Sequence, residues 1–268
     1  MTAWQAILLG ILQGLAEFLP ISSSGHLVIV PHLLDWPDPG LTMDTMLHMG
    51  TLAAILVYFW RDLWTLAAAA ADGIRRKSLA DPNARIAWNL VLGTIPGALA
   101  GVLLEDLFED LFGRPVAAAG FLLGTALILA IGEVARKGTR PLTSISWTDG
   151  LAIGLAQMLA IIPGLSRSGS TISAAMLVGF RREDAARFSF LLGVPIMAGT
   201  GIYQLLKLVL GVAESPPIGI VLLGVAAAAG SGYLAIAGLL TLVRRRGFIG
   251  FAVYCALFGI LVLTGVLG

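Results

Sequence analysis

Apolar residues run along the chain in long blocks separated by short polar clusters. A bilayer's hydrocarbon core takes about 20 predominantly apolar residues to cross as a helix. Six blocks reach that length: roughly 41–64, 86–104, 115–134, 186–210, 218–243 and 248–267. Two further apolar regions are interrupted. Residues 3–34 are broken by Pro20-Ile21-Ser22-Ser23-Ser24-Gly25-His26, and residues 150–179 by Pro163-Gly164-Leu165-Ser166-Arg167-Ser168-Gly169-Ser170-Thr171. Each half of these regions holds about 13–16 residues, too few to cross. The pattern predicts an all-α polytopic membrane protein with six transmembrane helices and two re-entrant helical hairpins.

Composition sharpens this picture by exclusion. Of 268 residues, 57% are hydrophobic and 12% charged, against about 25% charged in an ordinary soluble domain. A soluble fold of this size cannot hide so much apolar surface, and a disordered or fibrous chain is excluded too. The 33 glycines suit close approach of membrane helices. A net charge of +1 gives no electrostatic case for nucleic acid. The lone Cys255 excludes an intramolecular disulfide and a multi-thiolate metal site, and reads as a small apolar helix residue. The N-terminus has no basic start, and Gln13 and Glu17 break the apolar run after it, so no cleaved signal is expected there.

Loop charges orient the spans. Arg75-Arg76-Lys77 with Arg85, Arg136-Lys137 with Arg140, Arg181-Arg182 with Arg187, and Arg244-Arg245-Arg246 form the basic loops. Asp35 and Asp38, then Glu105, Asp106, Glu109 and Asp110, then Glu214 mark the acidic ones. Positive loops belong in the cytoplasm. With both interrupted regions as hairpins, every loop falls on the side its charge predicts, and both termini lie outside. Making only one of the two regions a full span inverts the loops beyond it.

The interruption is itself repeated. At an offset of 144, Gln13 matches Gln157, Leu15 matches Leu159, Ala16 matches Ala160, Ser22 matches Ser166, Ser24 matches Ser168 and Gly25 matches Gly169. One hairpin and three spans follow each start, so the two copies have opposite orientation. The chain is expected to be a single domain of two inverted repeats, about 1–140 and 141–268, with the hairpin turns meeting near the midplane.

Polar chemistry concentrates on those turns. Gln13 and Glu17, four residues apart, share a helix face, and a carboxylate inside an apolar segment is a functional candidate. After Pro20, the run Ser22-Ser23-Ser24-Gly25-His26 opens a helix. Free N–H groups, hydroxyl caps and a positive dipole end suit an anion there. The second turn repeats this with Ser166, Ser168, Ser170 and Thr171 and adds Arg167, whose fork of donors matches phosphate oxygens. An ion pair between Arg167 and Glu17 across the halves is the other reading of that arginine. His26, directly after the serines, is the histidine expected to do acid–base chemistry. His32 is expected at the outer surface, and His48 as an ordinary residue starting a span. Asp44, Asn89 and Glu133 are read as interfacial.

Gln13-x-x-x-Glu17 followed by Pro20-x-Ser22-Ser23-x-Gly25-His26 resembles the first signature of the undecaprenyl-pyrophosphate phosphatase family, of the bacitracin-resistance type. Pro163-Gly164-x-Ser166-Arg167-Ser168-x-x-Thr171 resembles its second. The resemblance implies hydrolysis of undecaprenyl pyrophosphate to undecaprenyl phosphate and inorganic phosphate, recycling the lipid carrier for peptidoglycan synthesis and conferring bacitracin resistance. It implies a divalent cation, Mg²⁺ or Ca²⁺, with Gln13 and Glu17 as its ligands. It also implies a bacterial cell membrane location, with a site opening to the outer face.

Under that resemblance Glu17, Ser23, His26 and Arg167 are the expected catalytic residues. Ser22, Ser24, Gly25, Ser166, Ser168 and Thr171 are expected to bind the substrate's phosphates. Ser23, His26 or water is the attacking group. The expected partners are a polyprenyl pyrophosphate lipid and the bilayer, with a homodimer left open. A transporter or flippase of an anionic lipid is the competing class, because inverted repeats with meeting hairpins are transporter architecture. An ion channel fits less well, since Arg167 belongs to no ring of repeated charges.

Overall fold

The structure is a computed structural model that describes residues 1–136, 138–211 and 217–265. Lys137, Glu214 and the far end of the 248–267 block therefore lie outside the described residues. Twelve α-helices are seen among the described residues: α1 (Ala3–Phe18), α2 (Ser23–Leu33), α3 (Gly40–Tyr58), α4 (Trp60–Arg76), α5 (Pro82–Leu103), α6 (Glu105–Phe112), α7 (Pro115–Ala135), α8 (Trp147–Leu159), α9 (Arg167–Leu177), α10 (Arg182–Val209), α11 (Ile218–Val243) and α12 (Ile249–Leu263). No strand occurs among those residues, only an isolated bridge between Arg140 and Phe180.

Five helices, α3, α5, α7, α10 and α11, are long and apolar enough to cross a bilayer. This is a polytopic membrane protein. Both interrupted regions fold as expected, into pairs of short helices. The α1–α2 pair has 16 and 11 residues and the α8–α9 pair 13 and 11. The sixth expected span is seen as the 15-residue α12, about 22 Å long at 1.5 Å per residue.

Two boundaries differ from expectation. The 41–64 block is not one helix. Phe59 leaves helical geometry at φ −102°, ψ 20°, and a separate helix, α4, begins at Trp60. There, exposed Trp60 and Trp64 oppose a buried Leu66, and tryptophan is a residue type enriched at membrane–water interfaces. The acidic 105–114 segment, expected as a loop, contains the eight-residue helix α6.

Small residues set the packing. α1 lies along α11 so closely that a Cβ added at Gly10 would stand 2.3 Å from the Gly224 carbonyl oxygen. α12 packs on α7, and α5 on α8. The basic loops form one end of the molecule, tied by ion pairs. Arg140 bonds Asp149 at 2.7 Å, and Arg244 bonds Glu183 at 2.6 Å. Glu133 takes Arg182, Arg136 and the Phe248 backbone N–H together. Glu133 is thus a structural anchor, in keeping with its expected place outside the chemistry.

Candidate active site

The site is built where the two short-helix pairs meet. α1 stops because Leu19, which precedes Pro20, takes extended geometry at ψ 132°. Ser22 then reverses the chain at φ +70°, a left-handed conformation uncommon for a non-glycine residue. Its Oγ accepts from the Gly25 N–H at 3.2 Å and so caps α2. Ser166 caps α9 in the same way, accepting from the Gly169 N–H at 3.0 Å. The companion hydroxyls repeat as well: Ser22–Ser24 at 3.4 Å and Ser166–Ser168 at 3.3 Å.

The two turns touch. A Cβ on Gly25 would lie 3.0 Å from the Gly164 Cα. Gly164 has φ +96°, and a Cβ there would meet the Ala118 carbonyl oxygen at 2.2 Å, so only glycine fits. Thr125 of α7 staples the second turn. Its hydroxyl donates to the Gly164 carbonyl at 2.7 Å and accepts from the Ser166 N–H at 2.8 Å.

Glu17 is the hub between the turns. Its Oε1 accepts from Arg167 Nη2 at 2.6 Å. Its Oε2 accepts from Ser23 Oγ at 2.6 Å and from Gln13 Nε2 at 3.1 Å. His48 Nε2 stands 3.4 Å from the same oxygen, while His48 Nδ1 is 2.8 Å from the Asp44 carbonyl oxygen. The other arm of Arg167 donates to the Ser189 carbonyl at 2.8 Å. Gly193 leaves room for the guanidinium: a Cβ there would be 2.7 Å from Nη1.

These groups face a cavity of about 280 Å³. Glu17, Ser23 and Arg167 line it, as do the capping-turn residues Ser22, Ser24, Ser166 and Ser168. The first-turn amides of α2 and α9 have no intrahelical acceptor. Two helix N-termini and one guanidinium therefore converge on one part of a largely apolar cavity, the arrangement that holds an oxyanion. Leu165, Ile196, Phe108 and Phe112 add apolar lining.

Four expected site residues are placed elsewhere. His26 does not line the cavity. Its Nδ1 is 2.7 Å from the Ser22 carbonyl oxygen, its Nε2 is 2.8 Å from Tyr254 Oη, and its ring stacks on Phe258 of α12. Both ring nitrogens are engaged and buried, so His26 anchors the turn from behind. Thr171 is fully buried, bonded to Ser189 Oγ at 2.6 Å and to the Arg167 carbonyl at 2.8 Å. Gly25 provides the close approach between turns, not a wall of the cavity. Gln13 is fully buried behind Glu17.

Residues outside the expected set also line the cavity. Asp44, Thr45 and His48 of α3 line the cavity, and so does Gln157, the repeat partner of Gln13. Asp44 and His48 carry a legible signal: four residues apart, they repeat the i, i+4 polar pairing of Gln13 and Glu17 on a second apolar helix.

Gln13 and Glu17 do not fit the expected divalent cation. Mg²⁺ and Ca²⁺ require several free oxygen ligands. Gln13 is off the cavity, and both Glu17 oxygens already accept hydrogen bonds, one of them from a cationic guanidinium. No group of three His, Cys, Asp or Glu residues suited to a metal occurs among the described residues.

The sequence is similar to those of known proteins. The family described as bacitracin resistance protein BacA matches residues 6–261. An undecaprenyl-diphosphatase of Thermomicrobium roseum is 45% identical over 271 residues, spanning 98% of each chain. Those of Thioalkalivibrio sulfidiphilus and Moorella thermoacetica are 42% and 44% identical, covering 97% and 98% of both chains respectively. A match of this extent, over a site that unites both signature turns, places the chain in the bacitracin resistance protein BacA family.

Proposed function

We propose that this protein hydrolyses undecaprenyl diphosphate to undecaprenyl phosphate and inorganic phosphate in the bacterial cell membrane. The products return the lipid carrier to peptidoglycan synthesis, and removal of the diphosphate underlies bacitracin resistance. One observation carries the reading: Ser23 Oγ and Arg167 Nη2 each lie 2.6 Å from one carboxylate, in a cavity walled by two helix N-termini. An oxyanion receptor alone needs no serine bonded to a buried base.

The 144-residue offset explains the division of labour. Ser23 and Arg167 occupy the same position in the two hairpins, and Glu17 corresponds to Ile161. One copy supplies hydroxyl and base, the other the phosphate-binding cation. This supports two inverted repeats meeting at their turns.

The diphosphate would lie across the two N-termini, with Arg167 and the turn amides on its oxygens. Ser23 Oγ is the nucleophile in this reading. It gives its proton to Glu17 Oε2 and bonds to the terminal phosphorus as the anhydride P–O bond breaks. Undecaprenyl phosphate leaves. Glu17 gives that proton up with the departing undecaprenyl phosphate, then takes one from the water that attacks the phosphoserine and returns it to Ser23 Oγ as inorganic phosphate is freed. Arg167 offsets charge on the equatorial oxygens in both steps. His26 holds the Ser22 turn through its backbone carbonyl and so places Ser23.

The cavity's lining supports access from the outer face. Leu41 and Thr45 follow the acidic 35–40 loop, and Phe108 and Phe112 belong to α6 in the acidic 105–114 segment. The basic loops that mark the cytoplasm lie at the other end. The apolar wall suits the first units of a prenyl tail.

The test is release of inorganic phosphate from a polyprenyl diphosphate by the purified protein in detergent. Phosphate accumulating with time supports hydrolysis. Its absence would favour a lipid transporter or flippase acting without chemistry.

A further inference from the structure

Of the three histidines, His48 is the one that lines the site cavity. His26 is buried behind the first turn, and His32 lines a neighbouring cavity. His48 keeps 26% of its side-chain surface open, against 5% for Glu17 beside it.

The His48 ring stands between two acceptors. Its Nδ1 is 2.8 Å from the Asp44 carbonyl oxygen, which only accepts, so Nδ1 carries a proton. Its Nε2 is 3.4 Å from Glu17 Oε2. A bare nitrogen there would set its lone pair against a carboxylate, whereas a proton on Nε2 makes an ion pair. The ring is therefore satisfied as the imidazolium while Glu17 is ionised. The separation is longer than a good N–H···O bond, so the proton is not locked onto Glu17 and can turn to a ligand in the cavity.

Glu17 Oε2 is also the atom that accepts the Ser23 hydroxyl, at 2.6 Å. Serine and imidazole are thus joined through one oxygen. The other charged groups around them are Arg167, bound to Oε1, and Asp44, one turn from His48 on α3. α11 meets α3 through Met43, Leu47 and Gly50. Once Glu17 holds the serine proton, it must lose it before water can be activated. Arg167 keeps its protons and the Gln13 amide exchanges none, whereas an imidazole gives and takes a proton near neutral pH.

We propose that His48 is a catalytic residue, which carries the serine proton from Glu17 to the departing undecaprenyl phosphate. As the Ser23 Oγ–P bond forms and the anhydride P–O bond breaks, Nε2 gives its proton to the bridging oxygen and the Ser23 proton passes to Glu17 Oε2. Nε2, now with a free lone pair, takes the proton from Oε2. Imidazolium and carboxylate are restored, and one proton has moved from serine to leaving group. The proposal rests on reading Ser23 as nucleophile and Glu17 as its base.

Kinetics of the purified full chain in detergent, on a polyprenyl diphosphate labelled in its terminal phosphate, test this. His48→Gln keeps a donor facing Glu17 but cannot relay a proton. Its kcat is expected to fall by about tenfold or more, with KM, elution from size exclusion and melting temperature near wild type. Labelled phosphoserine should be scarcer than in wild type, because its formation is the step slowed. His48→Ala should be as slow, and added imidazole, entering the space left beside the cavity, should restore part of its kcat. A wild-type kcat in His48→Gln, phosphoserine accumulating in that variant, or His48→Ala unrescued by imidazole would each overturn the relay. Absence of phosphate release from wild type would instead strike the hydrolase reading itself.

Discussion

Glu17 and Arg167 lie 150 residues apart in the chain, yet their side chains meet at 2.6 Å, with 5% and 14% of their surfaces exposed. Removing one partner leaves the other charge buried and uncompensated, at a cost of about 3–5 kcal/mol. Arg167→Ala and Glu17→Gln should each lower the melting temperature and abolish most phosphate release. The Glu17→Gln/Arg167→Gln pair should recover stability relative to Arg167→Ala while staying inactive. Thermal unfolding in detergent, followed alongside phosphate release, separates the two effects.

Arg167→Lys keeps the charge but loses the planar fork that reaches both Glu17 and the Ser189 carbonyl. Turnover should fall by about 10²-fold or more, with a smaller loss of stability than in Arg167→Ala. Steady-state kinetics on a short-chain prenyl diphosphate would measure it.

Gly193→Ala is expected to act at a distance from the phosphates. The added methyl would stand 2.7 Å from Arg167 Nη1, so the guanidinium must move. The expected outcome is a fall in kcat of about tenfold or more, with expression and melting temperature close to wild type. A kcat unchanged from wild type would show that the guanidinium needs no fixed position.

The second turn depends on its staple. Thr125→Val removes the acceptor of the Ser166 N–H and the donor to the Gly164 carbonyl, both buried. A loss of about 1–3 kcal/mol is expected. Gly164→Ala, facing both φ +96° and the Ala118 carbonyl, should be worse and lower the yield of folded protein. Yield and melting temperature after size exclusion report both.

Much of this architecture is legible in the sequence because its signals are local. Pro20 and the serine clusters interrupt apolar runs at places where a helix must stop and restart. The repeated Ser-x-Ser-Gly gives the same hydroxyl-to-glycine N–H cap at Ser22 and Ser166. Glu17 and Arg167 stand out as charges inside apolar regions, and the fold pairs them. What was not legible depends on packing between distant helices. His26 follows the serines directly, but α2 carries its ring away from the cavity, onto Tyr254 and Phe258 of α12. His48, distant in sequence, reaches Glu17 because α3 lies against α1. Asp44 and His48 share one face of α3, and the packing of α3 beside α1 is what brings that face to the cavity. The break at Phe59 was hidden because α4 continues the apolar pattern on one face.

His26 and Ser23 make different predictions for chemistry. If His26 acts by holding the turn, Tyr254→Phe, which removes its Nε2 partner, should lower activity and stability together. If His26 attacked phosphorus, its phosphorylated form would have to turn out of a buried stack against Phe258. A modest, parallel loss of melting temperature and turnover in Tyr254→Phe is the expected result.

The most direct measurement is to quench the wild-type enzyme during turnover of a polyprenyl diphosphate labelled in its terminal phosphate, and to map the labelled residue. The account predicts an acid-stable phosphoserine at Ser23 in the wild type, absent from Ser23→Ala and slow to form in Glu17→Gln, which lacks the base that takes the Ser23 proton. An acid-labile phosphohistidine at His26, or wild-type turnover without labelled protein, would contradict it.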